Sequence, residues 1–225
     1  MRRCCSPMIE RFLHHLRIEH PPVDETAAGA RVRLADKFPR SALRRMTHLG
    51  LLVGSALDGV VLGPEDAVVF ASTFSETRAL EDFLRSFPTA SPSLFQTSIH
   101  PSSVQQVLIG RAQSVARLWP LAGRARLVEQ ALQTALLEPA PRVAVVGGEE
   151  RGSWMLDYGM ASAMSFAFAT VLTLGSAEAV GRIAFAPGPV TDAACPSLDE
   201  FTRALAERRT LRWLGGGGTW TLDWS

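Results

Sequence analysis

Hydrophobic and polar residues follow two different periods in the first half of the chain. Over residues 41–60, apolar side chains recur at steps of three and four, which predicts an amphipathic helix with Ser41 as its N-cap. The short β-branched run over residues 67–72 predicts a buried strand. A stripe of phenylalanine and leucine over residues 73–87 predicts a second helix. A strand that leads directly into a helix is typical of α/β proteins.

The same alternation continues to the C-terminus, while residues 1–39 are mixed and predict only a loop at "HPPVDETAAGA". The further predicted elements are an extended segment over residues 94–100, a helix from about Ser102 to Gly110, a helix over residues 123–138, a strand over residues 142–150, a strand over residues 181–189, a helix over residues 197–214 with a Ser197 and Glu200 capping box, and a short strand after the flexible glycine turn at residues 215–218. This order predicts an α/β fold, layered, with a central mixed sheet and helices packed on it.

One stretch has the length of a membrane span. Residues 158–177 contain no charged residue over twenty positions. However, alanine, serine, threonine and glycine dominate this stretch, no basic cluster flanks it, and small and large residues alternate within it. These features favour a buried sheet strand, running into a short helix, over a spanning helix, and no membrane span is expected.

Composition and charge bound the classes of partner. A chain of 225 residues with 47% hydrophobic and 20% charged residues predicts a single domain over residues 1–225, of which residues 1–37 are poorly assigned. The net charge of +1 argues against nucleic-acid binding. Residues 1–50 nevertheless carry ten Lys and Arg against five Asp and Glu, with Arg40, Arg44 and Arg45 close together. These arginines either form a solvated helix face or meet an acidic partner.

The three cysteines suggest neither a disulfide framework nor a metal site. Cys4 and Cys5 are adjacent and Cys195 is remote, so no metal-ligand spacing exists. Charges interrupt the N-terminal apolar residues, so no secretory signal is expected. A cytoplasmic location, with no metal and no cofactor, is the expectation.

Two short segments offer candidate chemistry. "TDAACPS", residues 191–197, resembles the nucleophile segment of condensing enzymes and would make Cys195 the nucleophile. "SIHPSS" places His100 among three hydroxyl groups, which suggests either a Ser–His pair or a structural, pocket-lining histidine. The glycine pair Gly147 and Gly148 and the run at 215–218 lack the spacing of phosphate-binding loops and are interpreted as turns.

The order of several segments carries a family resemblance. They are "RSALRRMTHLGLLVGSAL", "VVFASTFSETRALEDFL", "PSLFQTSIHPSSVQQVLIGRAQS", "VAVVGGEE", "LDYGMASAMSFAF" and "FTRALAERRTLRWL" with "GTWTLDWS". Over about residues 38–225, the chain resembles the β-ketoacyl synthase-like N-terminal domain family. These are short relatives of condensing enzymes, with a thiolase-like fold reduced to roughly one half. As in chain-length factors, the resemblance implies a partner for a full-length ketosynthase, often in bacterial aryl-polyene or related pigment pathways.

The resemblance argues against catalysis by Cys195. In condensing enzymes the nucleophilic cysteine begins the helix that precedes the strand ending in "GGxE", whereas Cys195 follows "VVGGEE". The equivalent position falls near Trp119 or Pro120, where no thiol exists. Condensation also needs two histidines, or a histidine and an asparagine, downstream of the cysteine, but all five histidines lie upstream and the chain contains no asparagine. Cys195 is therefore expected to be a small apolar residue, and no catalytic residue is expected.

The resemblance also implies roles for named residues. The candidate walls of an acyl cavity are Phe74, Phe95, His100 and Trp119. The strand over residues 112–119 is the candidate contact with a catalytic ketosynthase subunit in a heterodimer, through Ser114, Val115, Arg117 and Leu118. The candidates for docking an acidic acyl carrier protein are Arg40, Arg44 and Arg45. Two alternatives stay open: a scaffold that stabilises the ketosynthase without touching the acyl chain, and an autonomous acyl-thioester enzyme.

Overall fold

The described residues fold around an eight-stranded sheet with helices on both of its faces. The computed structural model describes residues 8–189 and 194–225. The strands are β1 (Ile9–Glu19), β2 (Ala67–Ser72), β3 (Arg117–Ala122), β4 (Arg142–Glu149), β5 (Phe166–Thr173), β6 (Gly181–Pro187), β7 (Leu211–Gly215) and β8 (Gly218–Trp224). The helices are α1 (Ala27–Arg33), α2 (Arg40–Leu43), α3 (His48–Ala56), α4 (Thr77–Arg85), α5 (Pro92–Ser98), α6 (Ser102–Gly110), α7 (Leu127–Leu137), α8 (Trp154–Asp157) and α9 (Leu198–Ala206).

The sheet is mixed, with strand order β3-β2-β4-β5-β1-β6-β8-β7. β2 pairs in parallel with both β3 and β4, and the other neighbouring strands are antiparallel. In this arrangement β3 and β7 are the two edge strands. The predicted α/β fold with a central mixed sheet is confirmed.

The core lies in two layers, one on each face of the sheet. β2 is buried along its whole length because helices cover both faces. Alternate side chains of a strand point to opposite faces, so Val69 packs in the layer formed with α7 and α9, while Val68 and Phe70 pack in the layer formed with α3 and α6. We call these the α7–α9 face and the α3–α6 face.

Strand β1 is the main element that the sequence did not predict. It lies in the middle of the sheet, antiparallel to both β5 and β6. A bulge between Leu13 and His15 breaks its alternating pattern. The strand also contains a buried arginine, which a hydrophobic pattern would not place in a core. The Arg11 guanidinium donates to the backbone carbonyls of Glu138 and Ala140 inside the protein. Burial lowers the pKa of Arg11, and the nearby Glu138 carboxylate raises it.

The single helix predicted over residues 41–60 is two helices in the structure, so its predicted start is wrong. A short helix, α2, comes first, and α3 begins only at His48, where the Thr47 hydroxyl accepts the backbone N–H of Gly50. Ser41 therefore lies inside α2 and caps nothing. The helix predicted over residues 73–87 also begins later, at Thr77. Strand β2 and helix α6 match their predicted bounds.

The extended segment predicted over residues 94–100 is also wrong, because residues 92–98 form helix α5. The Ser91 hydroxyl accepts the backbone N–H of Leu94, and Pro92 occupies the first turn, where it loses no hydrogen bond. This cap and proline provide a helix start that the apolar pattern did not show.

The C-terminal prediction needs one correction. The Ser197 and Glu200 capping box starts α9 as predicted, but the helix ends at Ala206. Residues 211–215 are strand β7, which turns through the glycines into β8, where Gly215 pairs with Gly218. The interpretation of residues 215–218 as a turn is confirmed.

The charge-free stretch contains the buried strand β5, as predicted, but the short helix expected after the strand is wrong, because residues 174–180 form turns and irregular backbone. Gly147 and Gly148 lie within β4 instead of forming a turn. Of the helices in the described ranges, none combines the length and the hydropathy needed to traverse a bilayer.

Candidate functional site

The turn between β3 and α7 is the place where the resemblance implies a nucleophile. β3 ends at Ala122 and α7 begins at Leu127, so Trp119 and Pro120 lie within the strand, and the position estimated from the sequence is wrong. Arg126 is the N-cap of α7, and its φ of 56° is left-handed. Its Nε donates to Glu129 Oε2 at 2.8 Å. A guanidinium stays protonated and cannot attack a thioester, so this turn supplies no nucleophile through Arg126.

Cys195 lies before α9 and packs against the α7–α9 face of the core. It is half-buried, and burial raises the pKa of its thiol. A thiol with a raised pKa is mostly protonated and is a poor nucleophile. Cys4, Cys5 and residues 191–193 of "TDAACPS" lie outside the described residues.

Two of the candidate wall residues lie near the carboxyl end of β2. The His100 ring stacks on Phe70 with centroids 4.9 Å apart. Burial lowers the pKa of His100 to about 4, against a smaller opposing effect of the Leu121 carbonyl, so the ring is neutral at pH 7. The Phe74 ring lies under the Arg124 guanidinium at 4.9 Å. A neutral, stacked imidazole is chemically compatible with an apolar ligand.

The other two wall candidates lie elsewhere. Phe95 is 50% exposed on α5 and contacts Phe83, with ring centroids 5.3 Å apart. Trp119 is on the α7–α9 face, where its indole N–H donates to Glu138 Oε2 at 2.7 Å, whereas His100 is on the α3–α6 face. The chain therefore does not bring the four candidates into one cavity. Any shared cavity wall would need a partner chain.

The strand predicted over residues 112–119 is wrong in its bounds, because β3 begins only at Arg117, so Ser114 and Val115 precede it. β3 is an edge strand, paired in the described residues with β2 alone. Ser114, Arg117 and Trp119 are exposed, whereas Val115 and Leu118 pack against the α3–α6 face of the core. A charged residue at Val115 would therefore disturb the folding of the chain as well as any association. The exposed side chains of this segment are better probes of an interface.

The candidate docking arginines lie together on the surface. Arg40 begins α2, Arg44 follows it, and Arg45 comes next, all three exposed. Arg45 also lines a pocket of about 590 Å³ that lies between the loop before α1, the start of α3, helix α4 and the segment after β4.

Buried carboxylates at the ends of β2 and β4 form a cluster that the sequence reasoning missed. Glu149 accepts the backbone N–H groups of Thr73 and Phe74 and the hydroxyl of Ser72. Burial raises the pKa of Glu149 to about 7, even though these hydrogen bonds favour its ionised form. The sequence feature that could have indicated this cluster is the pair Glu149 and Glu150 at the end of a buried strand. Burying a carboxylate costs free energy unless it is hydrogen-bonded or paired with a cation.

Glu150 ties two helices to the end of β4. Its Oε1 accepts the backbone N–H of Leu49 at 2.9 Å and its Oε2 that of Arg78 at 3.0 Å, so the first turns of α3 and α4 both donate to one carboxylate. Glu76, which precedes α4, accepts the backbone N–H of Ser103 at 2.7 Å. Burial, and next the Glu150 charge, raise the pKa of Glu76 to about 8.

The raised pKa of Glu76 makes stability depend on pH. In the native protein Glu76 keeps its proton up to about pH 8, whereas in the unfolded chain it loses it near its ordinary value. Between these values the unfolded state binds fewer protons, so the free energy of unfolding falls as pH rises, at up to about 1.4 kcal/mol per pH unit. We expect Glu76→Gln to reduce the dependence on pH of the free energy of unfolding, measured by urea unfolding between pH 7 and 8. Glu65→Gln, at an exposed position, is the control. If the stability of Glu76→Gln changed with pH as steeply as that of the wild type, Glu76 would not be the group responsible.

Comparisons with known structures identify the fold. A search against protein-family models and a search against curated proteins find no match. A chain in the structure of a ketosynthase (ApeO) in complex with its chain length factor (ApeC) from Xenorhabdus doucetiae superposes with a TM-score of 0.67 at 19% identity, over 96% of this chain and 99% of that one. The chain has a ketosynthase-like, thiolase-type fold. This ketosynthase-like fold extends over nearly the full length of both chains, and the expectation of a thiolase-like architecture is confirmed.

Two further solved ketosynthases resemble the chain more distantly. A β-ketoacyl synthase from Burkholderia phymatum matches with a TM-score of 0.42 at 15% identity, over 60% of this chain and 44% of that one. The module 6 ketosynthase of the bacillaene synthase from Bacillus subtilis matches with a TM-score of 0.43 at 11% identity, over 84% and 42%. At these TM-scores the two likenesses add nothing to the assignment of the ketosynthase-like fold.

Proposed function

We propose that this chain is a non-catalytic ketosynthase-like subunit that pairs with an active ketosynthase in type II fatty acid or polyketide biosynthesis, of the aryl-polyene pigment type. The observation that carries the proposal is the turn between β3 and α7. Within a ketosynthase-like fold, this turn holds Arg126 in ion-pair contact with Glu129 where a condensing enzyme would need a cysteine. The similar chain from Xenorhabdus doucetiae comes from a complex of a ketosynthase with its chain length factor, which supports a paired state.

The mechanism of this subunit is steric. Its side chains close part of an acyl cavity at the contact with the ketosynthase, and their size sets the length at which the growing chain no longer fits. His100 and Phe74 are the wall residues best supported by the structure, because both rings lie near the carboxyl end of β2 and His100 is neutral. Phe95 and Trp119 reach the cavity only in the assembled heterodimer.

The heterodimer contact runs along the free edge of β3. An unpaired edge strand exposes backbone N–H and C=O groups that a second chain can pair with. Arg117 and Trp119 are exposed on this strand. Carrier protein, which is acidic as a class, docks near Arg40, Arg44 and Arg45.

Co-expression with the ketosynthase of the same pathway tests this proposal. We expect the two chains to co-purify and only the pair to elongate a carrier-bound acyl substrate, with each chain alone inactive. The Arg126→Cys variant of the isolated chain should stay inactive, because the downstream histidines needed for decarboxylative condensation are absent from the sequence. Condensation or thioester hydrolysis by the wild-type chain alone would replace the proposal with an autonomous enzyme.

One observation favours a second candidate, a scaffold that stabilises the ketosynthase without shaping the cavity. Trp119 lies on the opposite face of the sheet from His100, and Phe95 contacts Phe83 on α4, so the four wall candidates meet in no common cavity. Within the heterodimer, His100→Ala and Phe95→Ala separate the two roles. A longer product supports the steric role, whereas an unchanged product at a lower yield supports the scaffold.

A further inference from the structure

The pocket of about 590 Å³ beside β4 is lined by charged residues of both signs. It lies beyond the carboxyl end of a parallel strand, where α/β proteins commonly bind ligands. Apolar side chains also contribute to its wall, namely Val23, Met46, Ala79 and Leu94. A pocket of this size, with charged and apolar parts, matches a small organic ligand that carries a charged group.

The carboxylates of this pocket are already engaged. Three of them form ion pairs, Asp24 with Arg151, Glu25 with Arg33, and Asp82 with Arg85. The other two, Glu81 and Glu150, are buried and accept backbone N–H groups, and the His48 ring lies 3.4 Å from Glu150. A ligand in the pocket therefore finds no unengaged carboxylate among these five.

Three arginines of the same pocket have no carboxylate partner among the described residues, and backbone carbonyls position two of them. Arg31 donates to the backbone carbonyls of Leu43 at 3.3 Å and Met46 at 3.1 Å. Arg78 donates to the carbonyls of Glu25 at 2.7 Å and Arg151 at 3.1 Å. Arg45 is exposed at the rim.

Neutral carbonyls fix a guanidinium but leave its charge uncompensated. In the described ranges, none of the three arginines has a carboxylate within 4.0 Å. This differs from Arg85 and Arg151 in the same pocket, which both face a carboxylate.

Glu81 and Glu150 likewise have no Lys or Arg within 4.0 Å among the described residues, but both are buried. Arg45, by contrast, is exposed, and Arg31 and Arg78 are partly exposed. The unpaired charge that a ligand meets at the pocket wall is therefore that of the three arginines.

We propose that Arg31, Arg45 and Arg78 bind the phosphate group of a small organic ligand. Three guanidinium groups suit a dianion with several acceptor oxygens better than a single carboxylate, because each can donate to a different oxygen. The apolar wall then contacts the organic part of the ligand. This site shares Arg45 with the proposed docking surface for carrier protein, but it shares no residue with the β3 edge that is proposed to contact the ketosynthase.

Titration calorimetry of the full chain with inorganic pyrophosphate at low salt tests the site. We expect saturable binding by the wild type, and an affinity at least about tenfold lower for Arg45→Ala, since a hydrogen bond to a charged group is lost. Arg44→Ala is the matched control, because Arg44 is an exposed neighbour that does not line the pocket, and its affinity should stay within about twofold of wild type.

Each other outcome overturns the proposal. Absence of saturable binding by the wild type would remove the site. An equal loss in Arg44→Ala and Arg45→Ala would show diffuse attraction to a basic surface. Acetate binding as tightly as pyrophosphate would show a carboxylate site instead. Because the assay needs no ketosynthase, its failure leaves the proposed function untouched, and the failure of heterodimer formation leaves this site untouched.

Discussion

Replacing Trp119 with lysine abolishes co-purification of the chain with its ketosynthase partner, with a loss of affinity of at least about 100-fold. Trp119 is 42% exposed on the edge strand β3, and a large half-exposed aromatic side chain is typical of the residues that dominate interface energies. Lysine removes the apolar contact and buries a charge in the interface. It retains a donor for Glu138, which now receives the indole N–H, so the fold of the isolated chain is preserved.

The opposite edge of the sheet supplies the matched control. Leu214 is 50% exposed on the other edge strand, β7. Leu214→Lys makes the same kind of change there and should leave the heterodimer intact, while thermal melts of both variants check that each chain folds. Loss of the complex in Leu214→Lys with retention in Trp119→Lys would move the interface to β7.

Replacing Gly148 with alanine lowers the free energy of unfolding by about 3 kcal/mol or more. Gly148 is buried in β4, and an added Cβ would stand 2.8 Å from the backbone oxygen of Phe166 on the neighbouring strand and 3.0 Å from the Leu49 side chain. A backbone oxygen within a sheet cannot move aside without breaking the pairing of β4 with β5, so strain is unavoidable.

Urea unfolding of Gly148→Ala beside Gly175→Ala measures this effect. Gly175 follows β5 at the surface, and a Cβ there meets no atom within 4 Å, so its substitution should change stability by less than about 0.5 kcal/mol. Equal stabilities of the two variants would mean that β4 and β5 are spaced more widely than the structure shows.

The elements with a clear period were predictable from the sequence. β2 and β5 are apolar runs covered on both faces, and both were recognised as buried strands. β1 was missed because a bulge and the buried Arg11 interrupt its alternation, and because its partners lie far away in the sequence. α5 was missed because its start depends on the Ser91 hydroxyl and Pro92, which are local signals weaker than the apolar pattern.

The candidate site was predictable in its broad logic and not in its geometry. The absence of any cysteine between Cys5 and Cys195 is apparent from the sequence alone. The residue at the turn is not apparent from the sequence, because the end of β3 cannot be located by counting along the chain. The prediction falls near Trp119 or Pro120, whereas Arg126 precedes α7. The separation of Trp119 from His100 depends on which face of β3 the Trp119 side chain occupies, and a shift of one residue in the strand reverses that face.

The central position of β1 also determines when the sheet can close during synthesis. β1 emerges from the ribosome about 150 residues before the strand β5 that pairs with it. At roughly 5–20 residues per second, β1 is synthesised on the order of ten seconds or more before either neighbouring strand. Until β5 and β6 are synthesised, the backbone N–H and C=O groups of β1 lack the strand partners that they have in the folded protein.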